Sequence, residues 1–241
     1  MNSLNWLEKM ASTPRNSSKQ HTCEYCGKSY AKASTLIAHT CAKKQRALQK
    51  NEKRVRYGFH AYNRFNKLCL KRPASTYEQF CNDKFYNSFV KFGSYVSNVK
   101  PLYPEKYIDY IVTSGKKIKD WCDDNVYEEY VLSLIKGEKI DTALERSINT
   151  MIEWASEKSS EWFLYFDNVS VNKAVWDIKD GKISPWLILN SEKGKSMLSS
   201  FDDRQLESIY QIIDPEFWTS QFRLKKKNLN IVNELVKEYH L

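Results

Sequence analysis

Apolar positions recur with a helical period along most of this chain, and the breaks between them carry helix start and stop signals. Tyr57, Phe59, Tyr62, Phe65 and Leu68 lay out one apolar face before Pro73 ends the run. Thr76 with Gln79 three residues later is a capping box, and it predicts a helix carrying Phe80, Phe85, Phe89 and Phe92. Pro104 opens the next helix with Tyr107, Ile108 and Ile111, and Gly115 closes it. Trp121, Val126, Tyr130, Val131, Leu134 and Ile135 suit a third, closed near Gly137. Asp141 is the expected cap of a fourth that carries Ala143, Leu144, Ile148, Met151, Ile152 and Trp154. Helices resume over Asp202–Ile213, after Asp214 with Pro215 in the first position, and over Leu229–Tyr239. Between Val169 and Asn190 two readings stand. Val175, Ile178, Asp180, Gly181 and Ile183 suit a hairpin, or else a helix closed by Gly181 and followed by an extended Trp186–Leu189. No repeat of solenoid period is present. Helical amphipathicity accounts for the aromatic stripes as core.

These patterns describe a mostly α protein with at most a small β-hairpin in its body. At 241 residues, 41% of them hydrophobic, the chain can bury one sizeable core and an appendage. No apolar run is long enough to span a bilayer, and Met1–Lys9 lacks the regions of a signal peptide, so a cytoplasmic setting is expected. Charge divides the chain unevenly. Residues 1–60 hold twelve Lys and Arg against three Asp and Glu, an excess of nine that equals the whole net charge of +9. The remaining residues carry 26 of each sign. A neutral body with a basic head is what phosphate binding by one appendage requires.

The head also holds a metal-like cluster. Of the six cysteines, Cys69, Cys81 and Cys122 read as small buried apolar residues, whereas Cys23, Cys26 and Cys41 crowd together. Two residues separate Cys23 from Cys26, so one tight turn aims both thiolates at a point, and twelve more lead to His39. Zinc takes four N or S ligands, and Cys41 is the nearest fourth, with His60 a distant fallback and His21 before the cluster. The segment Cys23–Cys41 resembles the two-Cys-two-His zinc finger family over nineteen residues. Tyr30 stands at the family's ribbon aromatic and Leu36 at its helix leucine, which implies a ββα fold. The resemblance also implies that Lys32, Ser34, Thr35 and Ala38 occupy the base-facing helix positions. One departure matters. Only Thr40 lies between the last two ligands, where the family has three to five residues. Positions two apart on a helix face opposite ways, so the helix must unwind at His39 for Cys41 to reach the metal.

The expected organisation is a flexible lead-in over residues 1–21, a zinc finger over 22–42, a basic helix or linker over 43–57 and a helical body over 58–241. Leu4, Trp6, Leu7 and Met10 allow a short helix in the lead-in. Nucleic acid, DNA ahead of RNA, is the expected partner. The expected contacts are Lys28, Lys32, Ser34 and Thr35 in the finger, then Lys43, Lys44, Arg46, Lys50, Lys53, Arg54 and Arg56 beyond it. One finger reads only about three base pairs, so non-specific or structure-specific binding is the more economical reading. The full layout is similar to zinc-finger proteins of T-even-like tailed phages. It runs through Tyr57-Gly58-Phe59, Phe92-Gly93, Gly181–Trp186 and Asp214-Pro215 with Phe217-Trp218. That resemblance implies a setting in an infected bacterium. It carries no mechanism.

Enzymatic signals are weaker. Gly194-Lys195-Ser196 imitates the end of a phosphate-binding loop, but position 189 is Leu where that motif needs Gly. Asp123, Asp124, Glu128 and Glu129 cluster at helical spacing as a nuclease metal site would, but a charged, solvated helix face is the better account of them. Three functions are expected, in this order: a zinc-finger DNA-binding accessory protein of replication, transcription or packaging whose body docks a protein; an adaptor or virion component with a structural finger; and a metal-dependent nuclease.

Overall fold

The computed structural model describes residues 20–241, so the short helix expected around Leu4–Met10 lies outside the described residues. The first elements are two short strands, β1 (His21–Thr22) and β2 (Ser29–Tyr30), paired antiparallel with His21 opposite Tyr30. Helices come next: α1 (Ala33–Ala38), α2 (Ala42–Leu48), a 3-10 turn (Gln49–Asn51), α3 (Lys53–Leu68), α4 (Tyr77–Asn82), α5 (Tyr86–Val99) and α6 (Pro104–Thr113). The remainder is α7 (Asp124–Gly137), α8 (Ile140–Lys158), α9 (Tyr165–Asn168), α10 (Val171–Lys179), α11 (Pro185–Ile188), α12 (Glu192–Ser199), α13 (Asp203–Ile213), α14 (Pro215–Leu224) and α15 (Lys226–Tyr239). The architecture is mostly α, with one two-stranded ribbon among the described residues.

The caps explain where several helices begin. Thr76 and Gln79 exchange side-chain and backbone hydrogen bonds at the start of α4, and Asp202 with Gln205 does the same for α13. Asp214 accepts from the N–H groups of Glu216 and Phe217, and Pro215 fills the first position of α14. The aromatic stripes turn inward as expected. Trp121 is fully buried, with its ring 5.2 Å from Phe92 and 5.8 Å from Phe89. Trp186 is buried against Trp218 and Phe222, with ring centroids at 5.7 and 5.0 Å. The Gly181–Trp186 turn is therefore a packing corner.

α3 and α5 approach until backbone meets backbone. A Cβ on Gly58 would lie 2.7 Å from the Phe89 carbonyl oxygen, and one on Gly93 would lie 1.9 Å from that of Arg54. This crossing fixes the direction of α3 independently of the finger.

Four expectations are corrected. The helix after Thr76 is two helices: Asp83 is extended, its carboxylate accepts from the Phe85 N–H, and Phe85 is exposed. α8 begins at Ile140 after Lys139, so Asp141 sits within the first turn, where its charge suits the helix N-terminus, and does not cap it. The hairpin near Gly181 is replaced by α10 and α11. Trp186 to Ile188 are helical, with the Ser184 hydroxyl accepting from the Trp186 N–H. Buried Asp177 organises this turn: its carboxylate accepts from Tyr165 Oη at 2.8 Å and from Lys173, while its carbonyl accepts from the Lys182 N–H. Of the three cysteines expected to be buried, Cys81 is, whereas Cys122 is half-buried and Cys69 exposed.

The tyrosines of α6 and α7 give a pH prediction. Burial first, and neighbouring Tyr103 second, push Tyr130 up to about 12; burial chiefly raises Tyr107 and Tyr127 as well. The folded state thus keeps protons that the unfolded state releases near pH 10. Their stabilisation is complete below about pH 10 and is lost as the pH climbs towards 12. Absorbance at 295 nm should show these phenols ionising together with unfolding. Smooth titration near pH 10 with native circular dichroism retained would contradict it.

Candidate metal centre and the basic face beside it

The centre begins with a turn. The Cys23 N–H donates to the Lys28 carbonyl at 2.8 Å and the Gly27 N–H to the Cys23 carbonyl at 2.9 Å, and Gly27 adopts φ +73° to close the loop. The other two members of the cluster come from the residues just beyond α1. That helix stops at Ala38: His39 has φ −67° and ψ 122°, and Cys41 has φ −125° and ψ 158°, both extended. This is the unwinding that the single intervening residue demands. It brings the ligand atoms of Cys23, Cys26, His39 and Cys41 within 4.8 Å of one another. His39 Nε2 lies 3.3 Å from Cys26 Sγ, while Nδ1 is 2.8 Å from the Tyr30 hydroxyl. Among the described residues this is the one group of three or more His, Cys, Asp or Glu placed to share a metal ion, and neither His21 nor His60 belongs to it.

No family model, curated protein or solved structure matches this chain.

The donor set fits a soft or borderline cation. Tetrahedral zinc with bonds of about 2.3 Å to sulfur needs donors roughly 3.8 Å apart, the spacing this cluster approaches. Its electrostatics point the same way. Burial works against the Cys23 thiolate, but the backbone N–H groups of Cys26 and Tyr25 outweigh it and hold Cys23 below the ordinary thiol value. Lys28's N–H pulls Cys26 down, yet burial and the neighbouring sulfurs of Cys23 and Cys41 raise it overall. Burial, then the charge of the three sulfurs, raises Tyr30. This mutual repulsion among thiolates is what a dication relieves. With Nε2 on a metal, Nδ1 of His39 carries the proton and donates to Tyr30 Oη, which fixes the ring. The sequence marks Tyr30 only as a ribbon aromatic. Its hydroxyl was the signal for this second role.

Cys41 links the cluster to the rest of the chain. Its Sγ accepts from the Lys44 N–H at 3.4 Å and so caps α2, and Lys44 Nζ donates to the His39 carbonyl at 3.3 Å. The basic segment differs from one continuous helix. α2 ends in the 3-10 turn, Glu52 is extended, and α3 starts afresh at Lys53. The reason lies in packing at both ends. α2 is tied to α4, with Arg46 Nη1 donating to the Cys81 carbonyl at 2.6 Å and Tyr77 Oη to the Arg46 carbonyl at 2.5 Å. α3 is set by α5, and no straight helix satisfies both.

The expected nucleic-acid contacts therefore divide. Lys28, Lys32, Ser34 and Thr35 are exposed around α1, as are Lys43, Lys50, Lys53, Arg54 and Arg56 beyond it. Arg54 pairs with Glu52 at 2.7 Å. Arg46 is half-buried, with its guanidinium 4.2 Å from the Tyr86 ring centroid. Two adjoining grooves run along this side. One of about 460 Å³ includes Lys43, Lys50 and Tyr77; the other, of about 640 Å³, includes Lys50, Lys53, Arg56 and Tyr77. Shared Lys50 and Tyr77 make the two a continuous face.

The four acids of the nuclease reading turn to separate tasks. Asp123 caps α7, Asp124 accepts from Tyr95 Oη at 2.8 Å, Glu128 pairs with Lys179 at 2.9 Å and Glu129 with Lys116 at 3.1 Å. Gly194 is not part of a phosphate loop either. It lies in α12, and its missing side chain admits the Ile188 carbonyl. No helix among the described residues is long and apolar enough to cross a membrane.

Proposed function

We propose that the cluster holds zinc, and that the finger so formed binds DNA as an accessory protein without catalysis, through phosphates more than through base edges. The supporting observation is the run of exposed cations Lys43, Lys50, Lys53 and Arg56 along two grooves that share a wall, next to a body of zero net charge. Zinc contributes orientation: Cys41 is at once a ligand and the cap of α2, so closing the cluster aims the basic segment. Ser34, Thr35 and Ala38 offer little direct readout, which favours binding that is not sequence-specific. On the resemblance of the layout to zinc-finger proteins of T-even-like tailed phages, the proposed activity belongs in a bacterial cytoplasm, during replication, transcription or packaging, with the helical body docked on a protein.

Salt dependence tests the reading. Each neutralised phosphate contributes about 0.9 to the slope of log K against log salt concentration. Changing Lys43, Lys50, Lys53 and Arg56 together to Gln should lower that slope for a blunt duplex by about 3.6. An unchanged slope, with zinc bound, would exclude this face. A second reading, an adaptor whose finger docks a protein, draws on Ile37 in α1 and Leu48 at the end of α2, which are 78% and 70% exposed.

A further inference from the structure

The larger groove beside Glu52 has walls of two kinds. Along α3, Lys53, Arg56, Tyr57 and His60 fall three to four residues apart and so share one helix face. Across from them stand Tyr77 of α4 and Lys50 of the 3-10 turn. Both tyrosines are half-buried and pack against the core. Tyr77 donates its hydroxyl hydrogen to the Arg46 carbonyl and meets Phe59 edge-on at 5.5 Å. Each ring also has a cation near it: Lys53 Nζ lies 5.8 Å from the Tyr57 centroid and Lys50 Nζ lies 5.4 Å from that of Tyr77. Glu105 is the one acid in the lining. At about 640 Å³ the groove is in the range of small-ligand clefts.

A surface meant only to meet duplex phosphates needs cations and no rings. Rings with flexible ammonium groups above them suit a different partner: an unpaired base has a π-face to stack, and its own phosphate draws the lysine aside. We propose that this groove binds single-stranded DNA, one base stacking on Tyr57 with the flanking phosphates held by Lys50, Lys53 and Arg56. This rests on the nucleic-acid reading above and narrows it to junctions or tracts where a strand is unpaired.

The test uses the zinc-loaded full chain with a labelled oligothymidylate and a blunt duplex of equal length, followed by fluorescence anisotropy. Tyr57→Leu keeps an apolar contact to the core but removes the ring. It should weaken oligothymidylate binding about tenfold and leave duplex binding within about twofold. Because that variant can loosen α3, wild type is also photocrosslinked to an iodouridine-containing single strand, with adducts expected on Tyr57 or Tyr77. Adducts confined to Tyr25 and Tyr30 of the finger, or equal losses on both probes, overturn the proposal. Steeply salt-dependent binding of the duplex alone overturns it while leaving the broader function standing. Binding of neither probe overturns both.

Discussion

Cys41→Ser is expected to unfold residues 22–41 while the helical body keeps its melting temperature within a few degrees. The finger has almost no apolar core of its own. Cys23 is its one buried residue among those described, α1 buries none, and the ribbon is two residues long on each side. Structural zinc supplies on the order of 10–16 kcal/mol to peptides of this kind, so with the proposed zinc bound the four donors would stand in for the missing core. Serine separates the two roles of Cys41. Its hydroxyl caps a helix at least as well as a thiol does, so α2 keeps its start and any loss belongs to the metal. The body, by contrast, has its own core from Val55 to Leu241. Amide resonances of residues 22–41 should collapse to random-coil positions in Cys41→Ser, as they should in wild type treated with a chelator, and elemental analysis should find zinc lost. A finger that stays dispersed in the variant, still with one equivalent of zinc, would remove Cys41 from the ligand set.

The cluster of Cys23, Cys26, His39 and Cys41 was legible in the sequence because the spacing of such residues is a local constraint. Two residues between Cys23 and Cys26 force a turn, and one residue between His39 and Cys41 forces a helix to end, whatever the rest of the chain does. Helix starts were legible for the same reason at Thr76 and Asp202, where a cap sits within three residues of its partner, whereas the same device at Ser191, which accepts from the Gly194 N–H to open α12, was not read as a start. What escaped was decided by contacts distant in sequence. Lys43 to Arg56 reads as one basic helix by propensity, yet α4 holds one half and α5 the other, and the break falls at Glu52. The stretch around Gly181 reads equally well as a hairpin until the buried Asp177 carboxylate, with Tyr165 and Lys173 on it, fixes a helix. Tyr57 read only as core, and Tyr77 carried no signal of its own. Their place beside Lys50 and Lys53 depends on that same break at Glu52.

Gly93→Ala should be among the most damaging single substitutions in the body, although alanine is the better helix former by about 1 kcal/mol. Its added Cβ would lie 1.9 Å from the Arg54 carbonyl oxygen and 2.6 Å from the Gly58 nitrogen. Both are backbone atoms of α3, so no rotamer change can make room; the two helices must part. Overpacking of this kind costs about 1–3 kcal/mol, and opposed backbone puts Gly93 at or above the upper end. Gly137→Ala is the matched control: it also lies in a helix, and its Cβ would meet nothing within 4 Å. Urea denaturation should therefore show Gly93→Ala destabilised by about 3 kcal/mol and Gly137→Ala unchanged or slightly stabilised. The damage should also reach the basic face, since Arg54 lies between Lys53 and Arg56 on the helix that would be displaced. If the proposed DNA binding holds, affinity measured below the unfolding transition should fall in Gly93→Ala and hold in Gly137→Ala. Equal stability of the two variants would mean that α3 and α5 do not cross with backbone against backbone, and the break at Glu52 would lose its cause.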